Sequence, residues 1–271
     1  MSMQPRLPHA AARLVSRYQE ALAGAGIDAV RGLYLVGSVA LGDYQENHSD
    51  VDFVAVTDRP IVPDLVEPLA GLHARLHTGR RPAFDGIYLE ASRLSQTPGA
   101  AEIGDYTVRG EFHTGQPCFE INPATYLGLV QSGIVVFGPP VPALDIAIDM
   151  AALRRFQLDH LQGSWARWVQ RSDAALLRMD HDADIAAAPL AWGVLGMLRI
   201  ACTLATGRIV SKTAAGRWAL GVYPPKWRNV IEEALAVRRG EAPMLTRARA
   251  GSTIDFLRFV LASHPVAMGV G

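Results

Sequence analysis

The stretch Leu33 to Val56, LYLVGSVALGDYQENHSDVDFVAV, constrains this chain more than any other. It opens with a short apolar strand, Leu33 to Val36, that stops at Gly37-Ser38, and closes with an alternating strand, Val51 to Val56, introduced by Ser49-Asp50. Glycine at 37 lets backbone approach a ligand with no Cβ in the way. Ser38 and the N–H groups of the turn after it offer donors to phosphate oxygens. Because successive side chains alternate across a strand, Asp50 and Asp52 are expected on one face, where two carboxylates can share a cation. Hard oxygen ligands suit Mg²⁺, and two such ions would clamp the attacking and leaving oxygens of an in-line phosphoryl displacement.

The segments around this stretch give it a setting. Leu14, Tyr18 and Leu22 repeat at helical spacing, as do Leu65, Leu69, Leu72 and Leu76 within Pro63 to His77. Phe84 to Leu89 alternates like a further strand, and pairing with Val51–Val56 would bring Asp85 beside Asp50 and Asp52 as second-metal ligand, general base, or both. A polar, Gly-rich stretch around Gly104 to Gln116 follows, then apolar segments and Gly138-Pro139-Pro140, the candidate linker. Beyond it, Met150–Gln170, Ala186–Thr206, Thr213–Leu220, Lys226–Arg238 and Pro243–Ser263 all carry helical period. The fold class expected is therefore α/β, a mixed sheet with flanking helices over residues 1–140, followed by an all-α helical bundle over 141–271.

Composition narrows the partners. With 49% hydrophobic and 19% charged residues the chain can bury a sizeable core. Lys+Arg and Asp+Glu both number 26, which leaves no net positive field to hold nucleic acid. Cys118 and Cys202 form no CxxC pair, and a reducing cytoplasmic setting is expected. The first twenty residues show no apolar signal region. The longest uncharged apolar run, Ile185 to Leu198, is interrupted by Pro189, Gly193 and Gly196 and falls short of the roughly 20 residues of a membrane span, so it reads as a buried helix. His73 and His77, four apart, lack a third ligand at zinc-like spacing and read as a surface helix face.

A strand ending in Gly-Ser, a short helix and a strand opening Ser-Asp-x-Asp together resemble the DNA-polymerase-beta-like nucleotidyltransferase superfamily. Within it the whole chain is similar to the streptomycin/spectinomycin adenylyltransferases, the aminoglycoside 3''-adenylyltransferase family. LRIACTLATGRIVSKTAAGRWAL, Leu198 to Leu220, is similar to that family's helix, Thr-Gly-Lys/Arg-Ile turn, and Lys-led helix ending in Trp-Ala. The resemblance implies a transferase that moves AMP from ATP, with Mg²⁺, to a hydroxyl of an aminoglycoside or aminocyclitol antibiotic, the nucleotide lying between the two domains. Asp50, Asp52 and Asp85 would be catalytic and metal-holding. Gly37, Ser38, Ser49, Arg199, Lys212 and Trp227 would bind the nucleotide. The expected partners are ATP and a small-molecule antibiotic, with no nucleic acid and no membrane, and the expected state is a monomer.

This chain departs from the family pattern at several places. Asp85 stands where members carry a Glu base, Trp227 where they carry a Tyr, and Pro189 where streptomycin-modifying members carry an acid. Phe112 follows Gly110-Glu111 at the place of an antibiotic-stacking Trp, and a core wall against Tyr106 is its other reading. Asp180, Asp182 and Asp184 alternate but lack the Gly and Glu of a calcium loop. They read either as a solvated loop or as anions that pair with a cationic antibiotic. Two rival functions stay open, an enzyme that AMPylates protein and a nucleotide sensor that catalyses nothing.

Overall fold

The computed structural model describes residues 7–46, 48–79, 81–99 and 102–265. Their packing divides the chain into two compact units, one up to Ala152 and one from Leu153 onward. The segment after Pro140 stays with the first unit, because Val141, Leu144 and Ile146 pack on its core and the Ala147 N–H donates to Leu94 O at 2.8 Å.

The first unit is a mixed sheet with helices on both faces. Its elements in chain order are α1 (His9–Gly24), β1 (Val30–Leu35), a one-turn α2 (Gly37–Ala40), β2 (Val51–Thr57), α3 (Pro63–Leu76), β3 (Phe84–Glu90), β4 (Ile103–Val108), β5 (Glu111–Pro117), α4 (Pro123–Ser132) and β6 (Ile134–Phe137). The strands lie in the order β5-β4-β3-β2-β1-β6. Among the described residues only β2 and β3 pair in parallel, joined by the crossover through α3 that parallel neighbours require.

Alternation along the strands fills the two faces with different cores. Leu33, Leu35, Phe53, Ala55 and Tyr88 bury against Leu14, Tyr18 and Leu22 of α1 and Leu69, Leu72 and Leu76 of α3. Tyr34, Val54, Val56, Ile87 and Leu89 point the other way, onto Ile121, Tyr126 and Leu129. The α3 side holds a buried polar chain, in which the Tyr88 hydroxyl lies 2.8 Å from that of Tyr18 and 2.7 Å from His73 Nε2. The His73 ring is stacked between Phe53, at 5.9 Å, and Phe112, at 6.1 Å. His73 is thus a core residue, which corrects the surface reading of the His73–His77 pair. Burial pushes its imidazole down to about 3.

The polar stretch after Gly104 also proves to be regular structure. It forms the β4–β5 hairpin, closed by Arg109-Gly110 with φ of +51° and +81°, the signature of a two-residue type I′ turn. Asn122 caps α4 by accepting from the Ala124 and Thr125 N–H groups, ahead of Pro123 at its first position.

The second unit contains α5 (Met150–His160), which begins just before the division and runs through a π turn at Leu161–Trp165 into α6 (Ala166–Arg178). A short strand β7 (Ile185–Ala186) leads into α7 (Ala187–Thr206), followed by α8 (Lys212–Val222), α9 (Arg228–Arg238), β8 (Met244–Leu245) and α10 (Arg247–Ala262). β7 and β8 pair, so the segment from Pro243 read as one helix begins with a strand. α7 is long and apolar enough to cross a membrane, yet most of it is buried at the centre of this unit's core. Gly193 and Gly196 on α7 leave room for the indoles of Trp168 and Trp165, where a Cβ would overlap the rings.

Candidate active site

The Gly-Ser turn and the Asp-x-Asp strand meet. β1 and β2 are antiparallel neighbours, and the Val36 N–H donates to the Asp52 carbonyl at 2.9 Å, which seats the turn over the start of β2. Gly37 follows with φ +61°, and a Cβ built there would lie 2.9 Å from Asp52 Cγ and overlap its Oδ2. Only glycine accommodates both the left-handed backbone and the carboxylate packed on it. Ser38 is half-buried in α2, its carbonyl accepting from the Asp43 N–H at 2.9 Å. Ser49 is buried and its Oγ accepts from the Gln45 N–H at 3.0 Å, which shapes the loop leading to Asp50.

Asp52 and Asp85 are direct partners in the parallel register of β2 with β3. Both stand at strand positions whose parity matches Val54 and Ile87, so both lie on the α4 side of the sheet. Asp50 corrects the expectation in one respect, since β2 begins at Val51 and Asp50 is the last residue of the preceding loop. It is nonetheless fastened to the same place. Its Oδ1 accepts from the Ala83 N–H at 2.9 Å, and its Oδ2 accepts from Arg81 Nη1 at 2.6 Å.

Asp85 is a perturbed acid. Burial pushes its carboxyl above the ordinary range, and the Asp50 charge acts in the same direction. The Arg109 N–H, donating to Oδ1 at 2.7 Å, and the charges of His77 and Arg109 oppose this. The hairpin tip therefore occupies one oxygen of Asp85. Arg81 and Arg109 were both missed from sequence. The only signal for the first was a pair of arginines, Arg80-Arg81, just ahead of the strand that carries Asp85.

A divalent cation fits this donor set. Mg²⁺ is commonly held by one or two carboxylates together with substrate phosphates and waters, without an all-protein cage. Among the described residues no group of three or more His, Cys, Asp or Glu could hold a metal ion, so the expected three-acid metal site of Asp50, Asp52 and Asp85 is not assembled as such. Arg81 already pairs with Asp50 Oδ2 at 2.6 Å.

The other predicted residues stand on other elements. Phe112 is not on the aspartates' side, because its ring stacks on His73 and meets Tyr88 edge-on at 5.6 Å on the α3 face, while Tyr106 stacks on His113 on the opposite face. The core wall is real but is built on His73 rather than Tyr106. In the second unit, Arg199 Nε donates to Val210 O at 3.1 Å, so α7 is tied to the segment that leads into Lys212, the first residue of α8. Ser211 caps that helix by accepting from the Ala214 N–H at 3.1 Å. Trp227 packs on Phe256 and Phe259 at 5.4 and 5.6 Å, its ring built into this unit's core. Asp180, Asp182 and Asp184 are exposed in the turn before β7.

Comparison with known proteins agrees with this geometry. Residues 20–82 match the model of a nucleotidyltransferase domain, and residues 175–263 match that of the aminoglycoside adenylyltransferase C-terminal domain. The chain is 24% identical over 223 residues to the spectinomycin 9-adenylyltransferases of Staphylococcus aureus strains Mu50 and N315, covering 78% of itself and 78% of each relative. Its fold is that of a spectinomycin adenyltransferase from Enterococcus faecialis, solved with ATP and spectinomycin, with a TM-score of 0.68 at 15% identity over 93% of this chain and 99% of that one. The first of the two matched segments spans the Gly-Ser turn and the Asp-x-Asp pair, and the second spans Arg199 and Lys212. The chain is a nucleotidyltransferase that is similar to the aminoglycoside adenylyltransferases in both matched segments.

Proposed function

We propose that this enzyme transfers AMP from ATP, with Mg²⁺, to a hydroxyl of an aminocyclitol or aminoglycoside antibiotic of the spectinomycin or streptomycin type, and so inactivates it. The observation that carries the reading is the packing of the Gly37 turn on the Asp52 carboxylate, with Asp85 as the strand neighbour of Asp52. A phosphate-binding turn and paired acids on one sheet end are the parts that nucleotidyl transfer needs. The likeness to spectinomycin 9-adenylyltransferases supports the acceptor class.

Asp50 and Asp52 would hold Mg²⁺. When bound, the ion neutralises charge on the phosphates and polarises the bond to the leaving pyrophosphate. Ser38 and the N–H groups of its turn would donate to phosphate oxygens, and Arg199 and Lys212 would bind the nucleotide through charge-assisted hydrogen bonds. Asp85 would take the proton of the acceptor hydroxyl at Oδ2, because Oδ1 already accepts the Arg109 N–H. Its raised pKa makes it a stronger base than an ordinary carboxylate.

The test is pyrophosphate release by the purified chain with ATP and Mg²⁺. Release is expected only when an antibiotic of this type is present, and Asp52→Asn is expected to lower it on the order of 10²–10³-fold, the scale seen when one preorganised electrostatic group is removed. A broad panel of such antibiotics that stimulates no release would refute the acceptor. Release that depends on an antibiotic but ignores Asp52→Asn would refute the site.

A further inference from the structure

Both oxygens of Asp50 are engaged by the short connection between α3 and β3. Ala83 donates its N–H to Oδ1 at 2.9 Å, and Arg81 Nη1 donates to Oδ2 at 2.6 Å while also donating to the His48 carbonyl at 2.9 Å. The two contacts differ in kind. The Ala83 contact is fixed backbone just before β3, whereas the Arg81 side chain is long, charged and 44% exposed. A half-exposed guanidinium can leave its carboxylate for solvent at little cost, since ion pairs this accessible are weak. It nevertheless sits on the Asp50 oxygen that the backbone leaves open.

We propose that Arg81 is a built-in counter-cation for Asp50, which a divalent ion must displace to enter the site. The idea rests on the Mg²⁺ reading of Asp50 and Asp52 given above. Without the ion, Arg81 offsets the charge of Asp50 beside Asp52 and Asp85, which are otherwise crowded acids. With the ion, the guanidinium is released from Oδ2. The arrangement makes cation entry an exchange rather than a simple addition, and it lowers the affinity of the nucleotide-free protein for the ion.

This role predicts a sign opposite to that of a structural one. If Arg81 only propped the His48–Asp50 loop, its loss would loosen the ligands and weaken cation binding. Mn²⁺ is the probe, titrated into full-length, nucleotide-free protein and followed by electron paramagnetic resonance, with thermal melting as the check on folding. Arg81→Gln, and Arg81→Met as a second neutral variant that keeps the apolar stem, should tighten Mn²⁺ binding by up to about fivefold, equivalent to about 1 kcal/mol. Arg81→Lys, which keeps the charge, should stay near the parent. The gain should vanish when Asp52→Asn is added. Unchanged or weaker binding in folded neutral variants would overturn the proposal, and so would a gain that survives Asp52→Asn. The reading of the reaction is judged separately by antibiotic-dependent pyrophosphate release, so either can fail without the other.

Discussion

Gly37→Ala tests whether the turn and the carboxylate form one unit. The substitution has two separable effects. An alanine at φ +61° pays the left-handed penalty of roughly 1–2 kcal/mol, which any L-residue would incur there. The new Cβ also lies 2.9 Å from Asp52 Cγ, where carbon atoms normally rest about 3.5–4.0 Å apart, so the carboxylate must retreat by the order of 1 Å. Misplacement of that size costs about 100-fold in rate when it falls on a reacting group. Gly26→Ala isolates the first effect, because Gly26 has φ +64°, nothing within 4 Å of its Cβ position, and a place in the turn after α1. Both variants should melt a few degrees lower, at about 2–4 °C per kcal/mol for a chain of this size. Only Gly37→Ala should lose pyrophosphate release, by about 100-fold or more. If the two variants keep release within about threefold of each other, the packing of Asp52 on Gly37 is not what the chemistry depends on.

Further outcomes follow from other parts of the molecule. Asp85→Asn should cut kcat about 10²–10⁴-fold, the range for a general base, yet raise the melting temperature at pH 7. The folded carboxyl holds its proton more tightly than the unfolded one, so its ionisation opposes folding above the ordinary carboxylate range, and a neutral amide removes that opposition. His73 works in the other direction on acidification. Its folded value of about 3 lies far below the ordinary 6.5, so the unfolded state alone binds the proton between them. Stability should therefore fall by up to about 1.4 kcal/mol per pH unit as pH drops from about 6.5 toward 3, and urea titrations of His73→Gln across that window should show a shallower slope. Gly193→Ala should destabilise by about 1–3 kcal/mol, because its Cβ overlaps the Trp168 ring, and near-ultraviolet circular dichroism should report the displaced indole. Arg199→Ala and Lys212→Ala should raise the KM for ATP more than they lower kcat if they hold the nucleotide in the ground state.

The parts of this fold that obey a period were legible in the sequence. Leu14, Tyr18 and Leu22 sit on the buried face of α1, and the segment read as Ala186–Thr206 begins one residue later, at Ala187. The pairing of Asp52 with Asp85 was also legible, because a strand, a helix and a strand in succession favour parallel neighbours, and alternation then sets the face. The β4–β5 hairpin was not. Its outer strand is mostly exposed and polar, and Arg109-Gly110 lacks the Asn-Gly signature of its turn type. Without that hairpin's register, the side on which Phe112 lies could not be assigned. His73 was misread because an imidazole on a helix suggests water, whereas here two parallel aromatic rings and a tyrosine hydroxyl enclose it. The contact of Arg81 with Asp50 spans residues far apart in sequence and leaves no periodic trace.

The parallel register of β2 with β3 also limits how this site can change over time. Insertions in the loop between β2 and α3 alter how far the chain travels but not which residues end up opposite each other, so that loop can vary in length. A slip of β3 by one residue has a different outcome, because parity would turn Asp85 toward the α3 core and bring Phe84 or Gly86 opposite Asp52. No graded series of intermediates connects the working arrangement to that one. Tolerance of loop length and intolerance of strand slippage should therefore coexist within a few residues of each other.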